Sequence, residues 1–375
     1  MANRTPLYDE HVQAGARLTD FAGWEMPVYF RGILVERNSV RSRVGLFDLC
    51  HMGQIEVEGA GAEALVDLLA CGDVCSLEPG RARYSLFCTE RGGIVDDLVV
   101  FKRSAEKMRL VVNASRLGAD LAWIERWRPS DMEVNVADMT GKEGLLAIQG
   151  PLGEEVLSGL AGDLSSLEYF HFLEGELGGR RCLISRTGYT GEDGFEIFLK
   201  WDDVREGWAD LREAVAAAGG HACGLGARDL LRLEAGYPLW GNEISEETDP
   251  FSAGLGWCVD FHKEKFIGKN TLMQIRERGP ERALVVIVVD GPRVPRRGEG
   301  IFGKKERVGW ITSGSFSPVT DSGVGLGYVK GEWSAGGTQV EVEIDGRRHP
   351  ARVHPRPLYR GSVGGQATRV IQKEK

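Results

Sequence analysis

One pattern occurs twice in this chain, and it limits the architectures open to it. Gln54-Ile-Glu-Val-Glu-Gly59 leads into the helical stretch Ala62-Glu-Ala-Leu-Val-Asp-Leu-Leu69, and Gly144-Leu-Leu-Ala-Ile-Gln-Gly150 leads into Pro151-Leu-Gly-Glu-Glu-Val-Leu157. Alternation with period two reads as a strand, and apolar residues three and four apart read as an amphipathic helix. After the first copy come strands at Tyr84–Cys88, through Phe101 and at Met108–Asn113, a helix over Leu117–Trp127, and a strand over Met132–Val136. That order predicts an antiparallel sheet with helices on one face, an α+β layer of the ferredoxin type. The second copy continues with strands at Cys182–Arg186 and Phe195–Leu199 and a helix over Val204–Ala218, so two related α+β layers are expected. The 51 glycines agree with many tight turns and argue against a helical bundle.

The remaining segments read differently. Residues from Thr5 to Val28 mix aromatics with glycine and proline and are expected to form a strap over other elements. Gly224–Tyr237 reads as a helix carrying Arg228, Arg232 and Glu234, and Pro250–Lys269 as an aromatic connector before a short helix ending at Arg278. Gly279-Pro280 breaks that helix, and the strand patterns that follow, at 283–290, 308–315, 324–329 and 338–344, predict a small β-barrel or sandwich. Residues after Gly364 are expected to be disordered. Gly59-Ala-Gly-Ala-Glu-Ala64 resembles a dinucleotide-binding turn, but Leu77-Glu-Pro-Gly-Arg-Ala-Arg83 stands where the second parallel strand and its acid should follow. It is read as a glycine-rich helix entry.

Composition narrows the function. With 42% hydrophobic and 27% charged residues and a net charge of −9, the chain lacks the basic excess of a general nucleic-acid binder. No apolar run approaches the about 20 residues of a membrane span, and no signal pattern opens the sequence. Seven cysteines lie without metal-ligand spacing, so Cys71 and Cys75 are expected to be small buried hydrophobes in a reduced, cytoplasmic-type compartment. No metal site, P-loop, HExxH or Ser/His/Asp order can be assembled, and His51 is the one histidine in a suggestive loop.

What remains is a set of carboxylates, tyrosines and an arginine. In Gly92-Gly-Ile-Val-Asp-Asp-Leu-Val-Val100 two acids sit side by side within a strand, so their side chains must point to opposite faces. They are either turn acids capping backbone amides, or one is a desolvated carboxylate able to exchange protons near neutrality. Arg186-Thr-Gly-Tyr-Thr-Gly-Glu-Asp-Gly-Phe-Glu196 is a glycine-rich turn presenting Tyr189, followed by Glu196 between two apolar residues. Glu196 either faces solvent or accepts paired N–H donors from a flat heterocycle. Such a set suits an organic group that brings its own reactivity.

These stretches, together with Asp20-Phe-Ala-Gly-Trp-Glu-Met-Pro, Phe47-Asp-Leu-Cys-His-Met-Gly, Gly224-Leu-Gly-Ala-Arg-Asp-Leu-Leu-Arg-Leu-Glu-Ala-Gly, Phe266-Ile-Gly-Lys and Thr312-Ser-Gly-Ser-Phe-Ser-Pro, resemble the successive motifs of the glycine cleavage T-protein family, the aminomethyltransferases. The resemblance runs from about Thr5 to Gly364, with Cys50 where the family has serine. It implies transfer of the methylene carbon of an aminomethyl group from the lipoyl arm of H-protein to tetrahydrofolate, with release of ammonia, giving 5,10-methylenetetrahydrofolate. It implies Asp97 as the catalytic acid, Glu196 as the pterin holder, and Tyr84, Val99, Asn113, Tyr189 and Arg228 as further cavity residues. The implied fold is three domains in a ring around a central folate cavity. Their expected ranges are a discontinuous α+β domain, 1–52 and 140–278, a ferredoxin-like domain, 53–139, and a β-rich domain, 279–364, before a tail, 365–375. On this reading the protein is a cytoplasmic, bacterial-type enzyme with H-protein as partner and with no nucleic acid, membrane or metal. The alternatives are another folate-dependent one-carbon transferase or demethylase, or a non-catalytic folate-binding relative. His51-Met-Gly53 and Asp96-Asp97 favour the glycine cleavage enzyme over a demethylase, and the lack of a Lys-Gly-Cys-Tyr motif disfavours the non-catalytic one.

Overall fold

The computed structural model describes residues 2–363 and sorts their strands into one hairpin, two larger sheets and a closed barrel. The expected tail lies outside the described residues. Six strands form the first large sheet, in the order Phe172–Leu177, Arg180–Ser185, Gly194–Lys200, Glu143–Gln149, Gly45–Asp48 and His221–Cys223. Period-two alternation along Gly194–Lys200 sends Phe195, Ile197 and Leu199 to one face, under the helices Gly153–Ala161 and Val204–Ala217. Glu196 and Phe198 take the other face. The expectation of a purely antiparallel sheet is corrected at one edge, where His221–Cys223 runs parallel to Gly45–Asp48. The helix Val204–Ala217 returns the chain along the sheet first, which is the kind of long connection a parallel pairing needs.

The second sheet is antiparallel throughout, in the order Arg81–Cys88, Ile94–Ser104, Lys107–Val112, Gly53–Glu58 and Asn135–Asp138. It has one strand more than a β-α-β-β-α-β unit supplies. Its last strand falls at Asn135–Asp138 rather than Met132–Val136, because Glu133 is taken up in accepting the amide of Gly61 at the entry to the helix Ala62–Leu69. That helix and Leu117–Trp127 bury Leu65, Val66, Trp123 and Ile124 on one face of the sheet. The opposite face packs on the first sheet, with Phe101 edge-on to Phe198 at 5.3 Å between ring centres.

The barrel closes in the order Arg282–Val289, Ser322–Lys330, Glu306–Ser317, Gly300–Gly303, Gln339–Ile344 and Arg347–His354 around Ile287, Ile301, Ile311 and Val342. Two of these strands were not expected from the sequence. Gly300–Gly303 is short and glycine-ended, and Arg347–His354 carries charges and Pro350 where a strand signal would be apolar. The N-terminal strap is a hairpin, Arg17–Phe21 with Trp24–Tyr29, turning on Ala22 and Gly23, both at positive φ, as a two-residue loop requires. Cys71 is buried, but Cys75 is exposed, against expectation. No helix among the described residues is long and apolar enough to cross a membrane.

Candidate active site

Between the two large sheets lies a cavity of about 610 Å³, walled on a third side by the helix Leu225–Glu234 and on a fourth by Leu239, Trp240 and Asn242. The side chains singled out in the sequence converge on it from separate elements. Tyr84, Asp97, Val99 and Asn113 enter from the five-stranded sheet, Tyr189 and Glu196 from the six-stranded sheet and its glycine-rich turn, and Arg228 from the helix.

The acid pair divides as strand geometry demands. Asp97 faces the cavity, where its carboxylate accepts the hydroxyl of Tyr84 at 3.0 Å and the amide of Asn113 at 2.8 Å. Asp96 is fully buried on the other side, accepting the backbone and side-chain N–H groups of Asn113 at 3.0 and 2.9 Å. Asn113 therefore bridges the two acids. Asp97 shares its face with Val99 but not with Val95, because a register shift beside Cys88 turns Val95 into the helix-covered core. Burial pushes the Asp97 carboxyl above the usual range, and the hydrogen bonds from Tyr84 and Asn113 oppose that rise. Upstream, Gly93 is obligatory: a Cβ there would stand 1.6 Å from the carbonyl oxygen of Glu246.

The turn before Glu196 is held by Gln149. Its side-chain amide donates to Thr187 O at 3.0 Å, and its carbonyl accepts from Thr190 at 2.9 Å. A Cβ on Gly188 would fall 2.0 Å from that carbonyl oxygen, which explains the glycine. Thr187 donates to Oε2 of Glu196 at 2.5 Å, leaving Oε1 for a ligand donor. Burial raises the Glu196 carboxyl, with the Thr187 bond and the charge of Arg228 opposing. Arg228 stacks over the ring of Tyr189 at 4.9 Å, and Tyr189 donates to Pro238 O.

Sequence reasoning assigned no cavity role to several residues that the fold brings in. Phe21, at the tip of the hairpin, lies edge-on to His51 at 5.5 Å, and both line the cavity. Burial pulls His51 down to about 4, so this imidazole is neutral near pH 7. Arg232 is bound to Glu243 at 2.7 Å and to Ser313 of the barrel at 2.8 Å. Its i+4 spacing from Arg228 was the available signal. Trp257 stacks on Tyr84 at 5.7 Å between ring centres, at the edge of a second recess.

Comparison with known proteins places the whole chain. Residues 7–263 match the GCVT N-terminal domain, and residues 282–360 match the glycine cleavage T-protein C-terminal barrel domain. An aminomethyltransferase of Geobacillus kaustophilus is 44% identical over 96% of this chain and 99% of its own. One from Rubrobacter xylanophilus is 46% identical over 95% of this chain and 94% of its own. The crystal structure of glycine cleavage system aminomethyltransferase T from Bartonella henselae superposes with a TM-score of 0.89 at 35% identity, covering 98% of this chain and 99% of that one. On the strength of both domain matches and these near full-length relatives, the chain belongs to the glycine cleavage T-protein family of aminomethyltransferases.

Proposed function

We propose that this aminomethyltransferase moves the methylene carbon of an aminomethyl group, carried on the reduced lipoyl arm of H-protein, to tetrahydrofolate, releasing ammonia and forming 5,10-methylenetetrahydrofolate. The observation that carries this reading is one cavity with two differently prepared carboxylates on facing sheets. Glu196 has one oxygen fixed by Thr187 and the other open, suited to the adjacent N–H groups of a pterin ring. Asp97 is held by two donors in a desolvated setting, suited to taking or returning the proton of the folate nitrogen that attacks the methylene carbon. Tyr189 and Arg228 flank the ring site, and Val99 supplies an apolar wall. Holding the nitrogen beside the incoming carbon supplies the remaining rate advantage.

We assign the fold to a discontinuous domain, 1–52 and 140–278, a second domain, 53–139, and a barrel domain, 279–364, because the strands of each sheet fall within these ranges. We place the reaction in the cytoplasm, consistent with bacterial relatives and seven free cysteines. The test is turnover of aminomethylated H-protein with and without tetrahydrofolate. Folate-dependent release of ammonia with stoichiometric methylenetetrahydrofolate is expected. Turnover of a sulfur, oxygen or nitrogen methyl donor instead, or folate binding with no turnover, overturns the reading.

A further inference from the structure

Behind the wall that carries Asp97 lies a second acidic group that the cavity does not use. Asp120, in the first turn of the helix Leu117–Trp127, is fully buried. Among the described residues no protein N–H or O–H reaches either of its oxygens. The helix packs on the strand Ile94–Ser104, and the charge of Asp120 bears on Asp96, which is itself fully buried and already accepts two N–H groups from Asn113. Two carboxylates cannot sit in contact in a dry interior without a proton between them, because each would be an acceptor facing an acceptor. The same side-chain nitrogen of Asn113 also donates to Asp97, so Asp96 and the cavity acid are joined through one amide group.

We propose that Asp96 and Asp120 share a proton behind the cavity wall and that this pair is a positioning unit, fixing Asn113 and through it the orientation and charge environment of Asp97. The inference rests on the reading of Asp97 as the proton-handling acid. The charged groups facing the pair are Asp97 on the strand and Arg116 at the head of the helix. Arg116 is already engaged, donating to Val95 O at 2.9 Å and to Glu246 at 2.7 Å, so it does not neutralise the pair by direct contact. Burial raises both carboxyls, and Asp96 the further of the two, in the direction of a proton retained by the pair. The arrangement gives the site a fixed acceptor for Asn113 while removing one of the two negative charges that the pair would otherwise hold beside Asp97.

The test compares Asp120→Leu with Asp120→Asn. The leucine variant removes the partner of Asp96. It is expected to lower kcat about tenfold, leave KM for tetrahydrofolate within about twofold, and displace the acid limb of the pH–rate profile by about one pH unit. The asparagine variant offers Asp96 an N–H donor in place of the shared proton. It is expected to restore the wild-type limb and most of kcat. A purely structural role would lower the denaturation midpoint of Asp120→Leu and leave the pH profile of the folded enzyme superimposed on wild type, and that result overturns the proposal. Infrared difference spectra supply a reading that does not depend on turnover. A protonated-carboxyl C=O band present at pH 7.5 in wild type and in Asp97→Asn, and lost in Asp120→Asn, is expected. Its absence from wild type refutes the shared proton. Full activity of Asp97→Asn with the band still present would refute the role of Asp97 alone.

Discussion

The hydroxyl of Tyr84 donates to Oδ2 of Asp97 across 3.0 Å, from a neighbouring strand on which Tyr84 pairs with Val99 and Leu86 with Asp97. The two side chains are thus diagonal neighbours on one face, and their contact is set by sheet register. The phenol stabilises the carboxylate form and offsets part of the rise that burial causes.

Asp97→Asn removes the group that can take up and return a proton, without changing shape. Turnover of aminomethylated H-protein is expected to fall by about 10² to 10⁴, with tetrahydrofolate affinity by calorimetry within about threefold. Full activity would remove Asp97 from the mechanism.

Tyr84→Phe deletes one donor to the carboxylate, so the Asp97 carboxyl should rise further. The acid limb of kcat/KM is then expected at higher pH than in wild type, with kcat lower by about tenfold, the size of one hydrogen bond to a charged group. A limb moved to lower pH contradicts the electrostatic account.

Glu196→Gln keeps the volume but turns one acceptor oxygen into a donor. Tetrahydrofolate binding is expected to weaken by about tenfold or more in calorimetry, because a charge-assisted acceptor is replaced by a mismatched amide. An unchanged dissociation constant places the pterin elsewhere.

His51 makes stability depend on pH with a definite sign. Its folded value of about 4 lies below the ordinary 6.5, so between those values the unfolded chain binds the extra proton and stability rises with pH. The contribution is about 3 kcal/mol, fully present above pH 6.5 and lost toward pH 4. Urea unfolding of wild type and His51→Asn at pH 4.5 and 7 should show a smaller gap at the lower pH. Equal gaps would mean that the imidazole is already charged in the fold.

Gly93→Ala tests the approach of the Glu246 carbonyl to the strand that presents the acids. The added methyl, 1.6 Å from that oxygen, must push the 245–248 turn away, at a cost of about 1 to 3 kcal/mol. A lower denaturation midpoint is expected, and an unchanged one would show that the turn yields freely.

The sequence made the layers legible because their strands and helices bury one face each, as Phe195, Ile197 and Leu199 do. It made the opposite facing of Asp96 and Asp97 legible for the same reason. The turn of Val95 into the helix-covered core was not legible, because it depends on a register shift between Phe87 and Cys88 of the paired strand, which no local period records. The closing strand Arg347–His354 escaped because its outward residues are charged and Pro350 interrupts its pattern, and because only one of its two partners, Gln339–Ile344, is close in the chain while Arg282–Val289 lies far back. The link from Asp120 to Asp96 was hidden for a similar reason, since it joins a helix to a strand and neither residue breaks its own local pattern.

The helix Leu225–Glu234 turns Arg228 toward the cavity, while Arg232 and Glu234 are tied to Ser313 and Ser317 of the barrel. The barrel therefore acts as a remote adjusting screw for this wall of the cavity. A substitution at Ser317 would look silent on a map of distances from Asp97, yet it touches the same rigid rod that carries Arg228. Substitutions at Ser313 or Ser317 should accordingly be felt at Arg228, although neither serine lines the cavity.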